Sequence, residues 1–304
     1  MKDINKTDLV QIEKAIIVKG NGFISFKERP NVFKFYSSYN FASRALVKLL
    51  RVLKLYCFVP MFYGSWKKYL RKREVIILFD AGVKDITETT RYIKHINPNI
   101  RIVFWYWNPV NGNEDAIHDD RIDQVWTYSR FDAKKFNLYY NPQFYDSSYV
   151  VQKTRINTDL LFLGKDKGRK EILKTLEKKA GEQGLKSNFV LVDDKNSEIS
   201  YEDYLNLVAD SRCIVDLVPS QSCGLTLRPL EALFFKKKLI TNCRDIVNYS
   251  FYDKNNIFII GVDNLSDLST FINTPNRPIK KDVMDYYTFE KWLDRIVNNE
   301  GTRL

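Results

Sequence analysis

The stretch Ser220-Gln-Ser-Cys-Gly-Leu-Thr-Leu-Arg-Pro-Leu-Glu-Ala232 carries the densest chemistry in the chain. An apolar run ends at Pro219, small polar residues and Gly224 follow, and Pro229 suits the first turn of a helix. Backbone N–H groups at such a helix start lack intrahelical partners and form an anion site. Arg228 stands at that mouth, where a guanidinium can fork two hydrogen bonds onto a phosphate. Glu231 follows one turn on, near the same face, where a carboxylate can accept both hydroxyls of a ribose. Ser222, Gly224, Leu225 and Thr226 would line the same mouth. A plainer reading has Glu231 complementing the helix dipole, with Arg228 as its ion-pair partner.

Two further sets are weaker. Gly164 and Lys165 follow the apolar run Asp159–Leu163, with Arg169 and Lys170 at the start of the next helical pattern. A glycine there lets a ligand approach the backbone, and a cation one turn on could bind a diphosphate. The spacing GxxxxGK[ST] is missing, so this is no P-loop, and the alternative is a solvated helix start. Gly20 and Gly22 are a fragment of GxGxxG, with Ser25 at the third position. The acidic set lies in the first half. Asp80 ends the run Val75–Phe79, where a general base for a hydroxyl would be useful. Asp132 reads as a base or as a helix N-cap, and His118, before Asp119 and Asp120, as a base or a surface residue. Trp105, Tyr106 and Trp107 could stack on a sugar or fill the core.

Positioning these groups needs a scaffold, and the chain supplies an α/β one. Ala15–Val18, Val75–Phe79, Ile102–Trp107 and Gln124–Tyr128 read as strands, with helical patterns over 86–95 and 132–138. The alternation restarts with strands at 159–163, 189–192, 213–218, 239–241 and 257–260. Helices are expected at 169–181, 201–210, 229–235 and 286–298. Strands alternating with helices mean parallel sheets with crossovers. The expected layout is two successive doubly wound Rossmann-like domains, 1–150 and 151–275, with a C-terminal helix over 276–304. In such sheets ligands sit beyond the carboxyl ends of the strands, where the sets above fall.

The 304 residues carry 48 Lys and Arg against 37 Asp and Glu, a net charge of +11. Residues 1–73 alone hold 16 basic and 4 acidic residues, so all the excess charge sits in the first quarter. A polyanionic partner would meet that quarter, whether nucleic acid, anionic lipid or phosphorylated glycan. Within it, Phe41–Tyr56 has helical periodicity. Leu46, Leu49, Leu50 and Leu53 share one face and Arg44, Lys48 and Arg51 the other. Aromatics and the cluster Lys67, Lys68, Arg71, Lys72, Arg73 follow. This pattern suits a helix docked on an anionic membrane surface, or a core-facing helix with a solvated basic face. Cys57, Cys213, Cys223 and Cys243 form no CxxC pair and there are only two histidines, so no zinc spacing exists. The cysteines read as thiols in a reducing compartment. The polar Met1–Gln11 stretch is unlike a signal peptide, and the uncharged run Leu55–Trp66 is too short to span a bilayer. A cytoplasmic protein that touches a membrane without crossing it is expected.

Gly224-Leu-Thr-Leu-Arg-Pro-Leu-Glu-Ala, followed by Lys237-Lys-Leu-Ile-Thr-Asn242, resembles bacterial surface-polysaccharide glycosyltransferases of the GT-B fold, those of lipopolysaccharide core, O-antigen or capsule biosynthesis. Phe62-Tyr-Gly-Ser-Trp-Lys67, Phe104-Trp-Tyr-Trp-Asn-Pro109 and Tyr140-Asn-Pro-Gln-Phe-Tyr145 are similar to that group as well. The resemblance implies two Rossmann-like domains facing a cleft, the first for the acceptor and the second for a nucleotide-sugar. It implies a C-terminal helix returning to the first domain, no bound metal and no cofactor. By analogy Glu231 holds the donor ribose, while Arg228 and the Lys165/Arg169 region hold phosphate. The Glu-x7-Glu pair of many retaining members is incomplete, since Cys223 stands eight positions before Glu231. The expected function is transfer of a sugar to a lipid-linked glycan, peripheral to the cytoplasmic face of the inner membrane, with Asp80 as base. The alternatives are a GT-B-like scaffold without catalysis and a basic nucleic-acid-binding protein. The latter has no RRM, KH or zinc-finger pattern, so no nucleic-acid partner is expected.

Overall fold

The computed structural model describes residues 13–21, 27, 29–80, 83, 85–151, 156–192, 199–219 and 224–304. The chain divides into two compact units, Met1–Pro142 with Trp292–Leu304, and Gln143–Lys291. The sequence reading set these divisions at 150/151 and 275/276.

The first unit is built on β1 (Ala15–Lys19), β2 (Val32–Lys34), β3 (Val75–Phe79), β4 (Arg101–Tyr106), β5 (Gln124–Thr127) and β6 (Tyr139–Tyr140). They lie in the order β6-β5-β4-β3-β1-β2, all parallel. Every residue of β1 and β3 is buried, as expected for strands covered on both faces. The helices are α1 (Phe41–Val52), α2 (Ile86–Ile96) and α3 (Arg130–Phe136). Asn40 caps α1 by accepting from Ser43 N at 2.8 Å. Ser129, not Asp132, caps α3; its Oγ accepts from Asp132 N at 3.1 Å. Asp132 is buried in the first turn and accepts from Val110 N instead. The expected continuation of α1 to Tyr56 is replaced by two 3-10 helices, Tyr56–Phe62 and Ser65–Lys72. They press Val59, Trp66 and Leu70 into a core shared with Phe35 and Tyr63.

The second unit carries β7 (Thr158–Gly164), β8 (Ser187–Leu191), β9 (Ser211–Asp216), β10 (Lys238–Thr241) and β11 (Ile257–Ile259). Its order is β11-β10-β9-β7-β8, again all parallel. Around it run α4 (Lys170–Glu182), α5 (Tyr201–Ala209), α6 (Leu227–Phe234), α7 (Leu268–Asn273) and α8 (Lys281–Tyr286). In both sheets the first strand lies between the second and the third, so the strand order reverses beside it. This is the doubly wound pattern, and the crevice at that reversal is where such sheets take ligands.

The terminal helix is α9 (Phe289–Val297), followed by β12 (Thr302–Arg303). From Trp292 onward the chain belongs to the first unit. Trp292 is fully buried against Trp105 and Phe79, with ring centroids 5.0 and 5.7 Å away. Arg101 donates to the carbonyls of Ile296 and Val297 at 3.0 and 2.6 Å, tying down the helix end. β12 pairs antiparallel with β6 and extends the sheet to seven strands.

Candidate functional site

In the second unit the reversal falls between β7 and β9. Gly164 closes β7 and Asp216 closes β9. Arg228, on the first turn of α6, reaches between them. Its Nη2 donates to Leu163 O at 2.7 Å and its Nη1 lies 3.5 Å from Asp216 Oδ1. The Asp216 side chain is 2% exposed and that of Arg228 23%, so the cation holds the mouth and the acid lies beneath it. Thr226 Oγ1 donates to Asp216 Oδ2 at 3.0 Å. Burial pushes the Asp216 carboxyl above its usual range, against the lowering pull of Arg228 and Thr226.

Arg169 joins from the other side. It is 7% exposed, and its guanidinium donates to the carbonyls of Asp166, Leu217 and Lys165. These bonds stitch the 165–169 loop to the end of β9. What it contributes to the mouth is charge. Burial, and then the nearby Arg228, lower the proton affinity of Arg169. Both guanidiniums lie over the ring of Phe162, at 5.2 and 5.6 Å from its centroid. A Cβ on Gly164 would stand 3.0 Å from Arg228 Nη2, which would have to give by a few tenths of an ångström, and at ordinary contact, 3.5 Å, from Arg169 Nη2. Lys165 is exposed beside them. Three carboxylates, Asp216, Asp166 and the buried Glu231, stand around the two arginines, so the mouth gathers both signs of charge with Arg228 at its rim.

The start of α6 adds backbone donors. Thr226 is its N-cap, yet no side-chain capping bond forms among the described residues, because the hydroxyl is turned to Asp216. The N–H groups of Leu227 and Arg228 thus stay available to an anion. Gly224 and Leu225 are buried just before them. Ser222 and Cys223, like Gly22 and Ser25 of the glycine fragment, lie outside the described residues.

Glu231 is bound to side chains of α5. It is 1% exposed. Its two carboxylate oxygens accept from Tyr201 Oη at 2.9 Å and Tyr204 Oη at 2.6 Å. These tyrosines stand three residues apart on α5. Burial raises the Glu231 carboxyl above its usual range, while the Tyr204 hydroxyl, Arg228 and the Tyr201 hydroxyl pull it down. Its visible work is to join α5 to α6.

In the first unit, Asp80 stands at the carboxyl end of β3. Oδ1 accepts from Trp107 N at 2.8 Å, and Oδ2 from Asn108 N and Nδ2, both at 3.1 Å. The carboxylate therefore ties the end of β4, and to act as a base it would have to release one of these bonds. Trp105 and Tyr106 are fully buried core residues, while Trp107 is half-buried. His118 is 72% exposed and lies 3.7 Å from Glu114. Among the described residues no group of three or more His, Cys, Asp or Glu gathers as a metal ion would need.

No protein-family model and no curated protein sequence matches this chain. Solved structures do. AviGT4, a glycosyltransferase involved in avilamycin A biosynthesis, is 13% identical with a TM-score of 0.52, over 94% of this chain and 96% of that chain. Sucrose-phosphate synthase from Thermosynechococcus elongatus is 10% identical with a TM-score of 0.50, over 97% of this chain and 90% of that chain. The fold is GT-B-like. In GT-B terms the two Rossmann-like units are the two sheets described above, each with its own reversal.

Sequence reasoning passed over Asp216, Phe162, Tyr201, Tyr204 and Asn242. Asn242 clamps the end of β9, donating to Val218 O at 3.0 Å and accepting from Val218 N at 2.8 Å. An Asp inside the apolar run Cys213–Val218 was the available signal for Asp216, since a buried carboxylate needs a partner.

Proposed function

We propose that this protein is a glycosyltransferase that moves a sugar from a nucleotide-sugar donor onto a lipid-linked surface glycan at a membrane. The observation that carries the reading is the Arg228 guanidinium beside Gly164 and the start of α6, placed at the strand-order reversal of a GT-B-like chain. As the bond between the anomeric carbon and the phosphate oxygen breaks, charge develops on the leaving phosphate. Arg228, the field of Arg169 and the N–H groups of α6 stabilise it, and no metal is called for in that step. The donor's diphosphate would lie along Gly164 and Lys165. Asp80 is the candidate base for the acceptor hydroxyl.

The membrane part rests on α1 and the turn after it. The leucine face is turned outward: Leu46, Leu49 and Leu53 are exposed, as are Phe41, Val52, Phe58 and Met61. Ten Lys and Arg and no acid lie between Pro30 and Arg73. An apolar face bordered by cations suits the interface of an anionic bilayer. Among the described residues no helix is long and apolar enough to cross one.

A thermal-shift panel of UDP, GDP, dTDP and CMP tests the donor site. A ligand at a hundred times its dissociation constant adds about 2.7 kcal/mol, on the order of 4 °C for a chain of this size. One nucleotide should shift the wild type and fail to shift the Asp216→Asn/Arg228→Met double variant, which lacks the cation without leaving an unpaired acid. No shift with any nucleotide would overturn the site. A second reading, a GT-B-like protein that binds without turnover, is favoured by the hydrogen bonds that the carboxylates of Asp80 and Glu231 already accept within the protein. Release of free nucleotide from a nucleotide-sugar, with and without glycolipid acceptor, separates the two.

A further inference from the structure

A groove of about 230 Å³ opens in the first unit between the segment after β2 and one side of α1. Tyr36, Ser38, Tyr39, Ser43, Arg44 and Lys48 line it, with Val47 as its floor. The groove is built rather than incidental. Asn21, just past β1, holds Tyr36 through both its amide atoms, at 2.9 and 3.1 Å. Tyr36 and Tyr39 stack at 5.8 Å between centroids, and Arg44 lies over the Tyr39 ring at 5.3 Å. Ser43 Oγ is within donor distance of the carbonyls of Ser38 and Asn40, at 3.2 and 3.0 Å, which fixes the turn into α1. Tyr36 stands two residues beyond β2, so the groove lies toward the carboxyl edge of the sheet, the edge that binds ligands in open α/β folds.

Its charge is selective. Arg51 also borders the groove, but its guanidinium is committed to Asp85 at 2.7 Å and Glu88 at 3.3 Å. Arg44 and Lys48, one helical turn apart, have no ion-pair partner among the described residues. The groove thus offers two uncompensated cations, aromatic walls and hydroxyls, the set that suits a phosphate carried on a polyol. Its neighbours say what that phosphate is attached to. Phe41, seven residues before Lys48, and Val52, four after it, fall on nearly the same line of the helix as Lys48. They are 80% and 70% exposed. A free phosphate would have no use for that apolar strip, whereas an acyl chain would.

We propose that this groove is a headgroup site for a single phosphate-bearing lipid of the bilayer, with Arg44 and Lys48 on the phosphate and Phe41 and Val52 beside the first methylenes of the chain. The proposal rests on the membrane part of the function proposed above and turns a diffuse basic surface into a specific lipid site.

Dihexanoyl phosphatidylglycerol below its critical micelle concentration presents the headgroup without a bilayer. Wild type should bind it, read by calorimetry, and glycerol phosphate should bind far more weakly. Arg44→Gln/Lys48→Gln should lose that binding. Arg71→Gln/Lys72→Gln, an equal charge loss on exposed residues of the 3-10 helix Ser65–Lys72, should keep it. On phosphatidylcholine vesicles containing phosphatidylglycerol both pairs should weaken partitioning, by about thirtyfold for two charges, because that reading is general electrostatics. The proposal is overturned if wild type ignores the monomeric lipid, if both pairs lose it equally, or if glycerol phosphate binds as well as the lipid. The nucleotide shift, run on the same variants, keeps the tests apart: its absence in wild type refutes the donor site alone, and its persistence in Arg44→Gln/Lys48→Gln shows a folded protein whose lipid site has gone.

Discussion

Removing Arg228 should cost stability in a way that depends on pH. The Arg228→Met variant keeps a side chain able to pack over Phe162 but strands Asp216, whose side chain is 2% exposed and whose nearest cation was Arg228 Nη1 at 3.5 Å. Breaking a buried pair by deleting one partner costs about 3–5 kcal/mol. At roughly 2–4 °C per kcal/mol for a unit of this size, the melting temperature should fall by about 10 °C at pH 8. Burial already raises the Asp216 carboxyl in the wild type, and without Arg228 it rises further. An acid whose folded pKa exceeds its unfolded value of about 3.9 loses no stability below that pH. The loss grows as pH climbs through the folded pKa. The gap between wild type and variant should therefore narrow toward pH 4, leaving only the lost bond to Leu163 O, about 1 kcal/mol. Differential scanning calorimetry from pH 4 to pH 8 reads this directly. Adding Asp216→Asn should restore most of the stability at pH 8, since no buried charge remains. A gap that stays constant with pH, or a double variant no more stable than the single one, would refute the pairing.

Other variants test the remaining contacts. Glu231→Gln should gain on wild type as pH rises past about 4.3, because the buried carboxyl has a raised folded pKa and the amide never ionises; a gap in melting temperature that is flat with pH would count against it. Asp80→Asn should destabilise the first unit by about 1–3 kcal/mol in urea titration, since an amide sets a donor against the N–H groups of residues 107 and 108. If glycosyl transfer vanishes while stability is unchanged, Asp80 is a base and not a tie. Gly301→Ala should cost about 1–3 kcal/mol or more, because the new Cβ would overlap the ring of the fully buried Trp126. Hydrogen exchange at β12 and β6 should accelerate in that variant.

The strands that carry the site were legible because they are buried on both faces and read as apolar runs. Val75–Phe79 is such a run from end to end, and its boundaries are the observed ones. The shortest strands of the first unit were not legible. β2 has three residues and β6 and β12 two each, too few to show a period, and they exist because a neighbour offers an open ladder. The glycine and arginine of the mouth between β7 and β9 were visible from their places after strands, yet what each does depends on partners distant in sequence. Arg169 meets Leu217, 48 residues on, and Glu231 meets Tyr201 and Tyr204 on another helix. Type and spacing announced charged groups at a helix start. They could not announce which hydrogen-bonding capacity was already taken.

Helix α1 shows a pattern that left two orientations open. Its leucines do share a face, but burial is decided by what the rest of the unit offers. Asp85 and Glu88, at the start of α2, bind the Arg51 guanidinium, and the phenol of Tyr36 accepts from it at 3.3 Å. Val47 is buried beside that anchor and Leu50 is half-buried, while Leu46, Leu49 and Leu53 are left in solvent. The observed orientation leaves Leu46, Leu49 and Leu53 in solvent and forgoes apolar burial of about 1.5–3 kcal/mol per leucine. That exposed face lies on a stretch, Pro30 to Arg73, with ten cations and no acids, and this pairing is what the membrane part of the proposed function rests on.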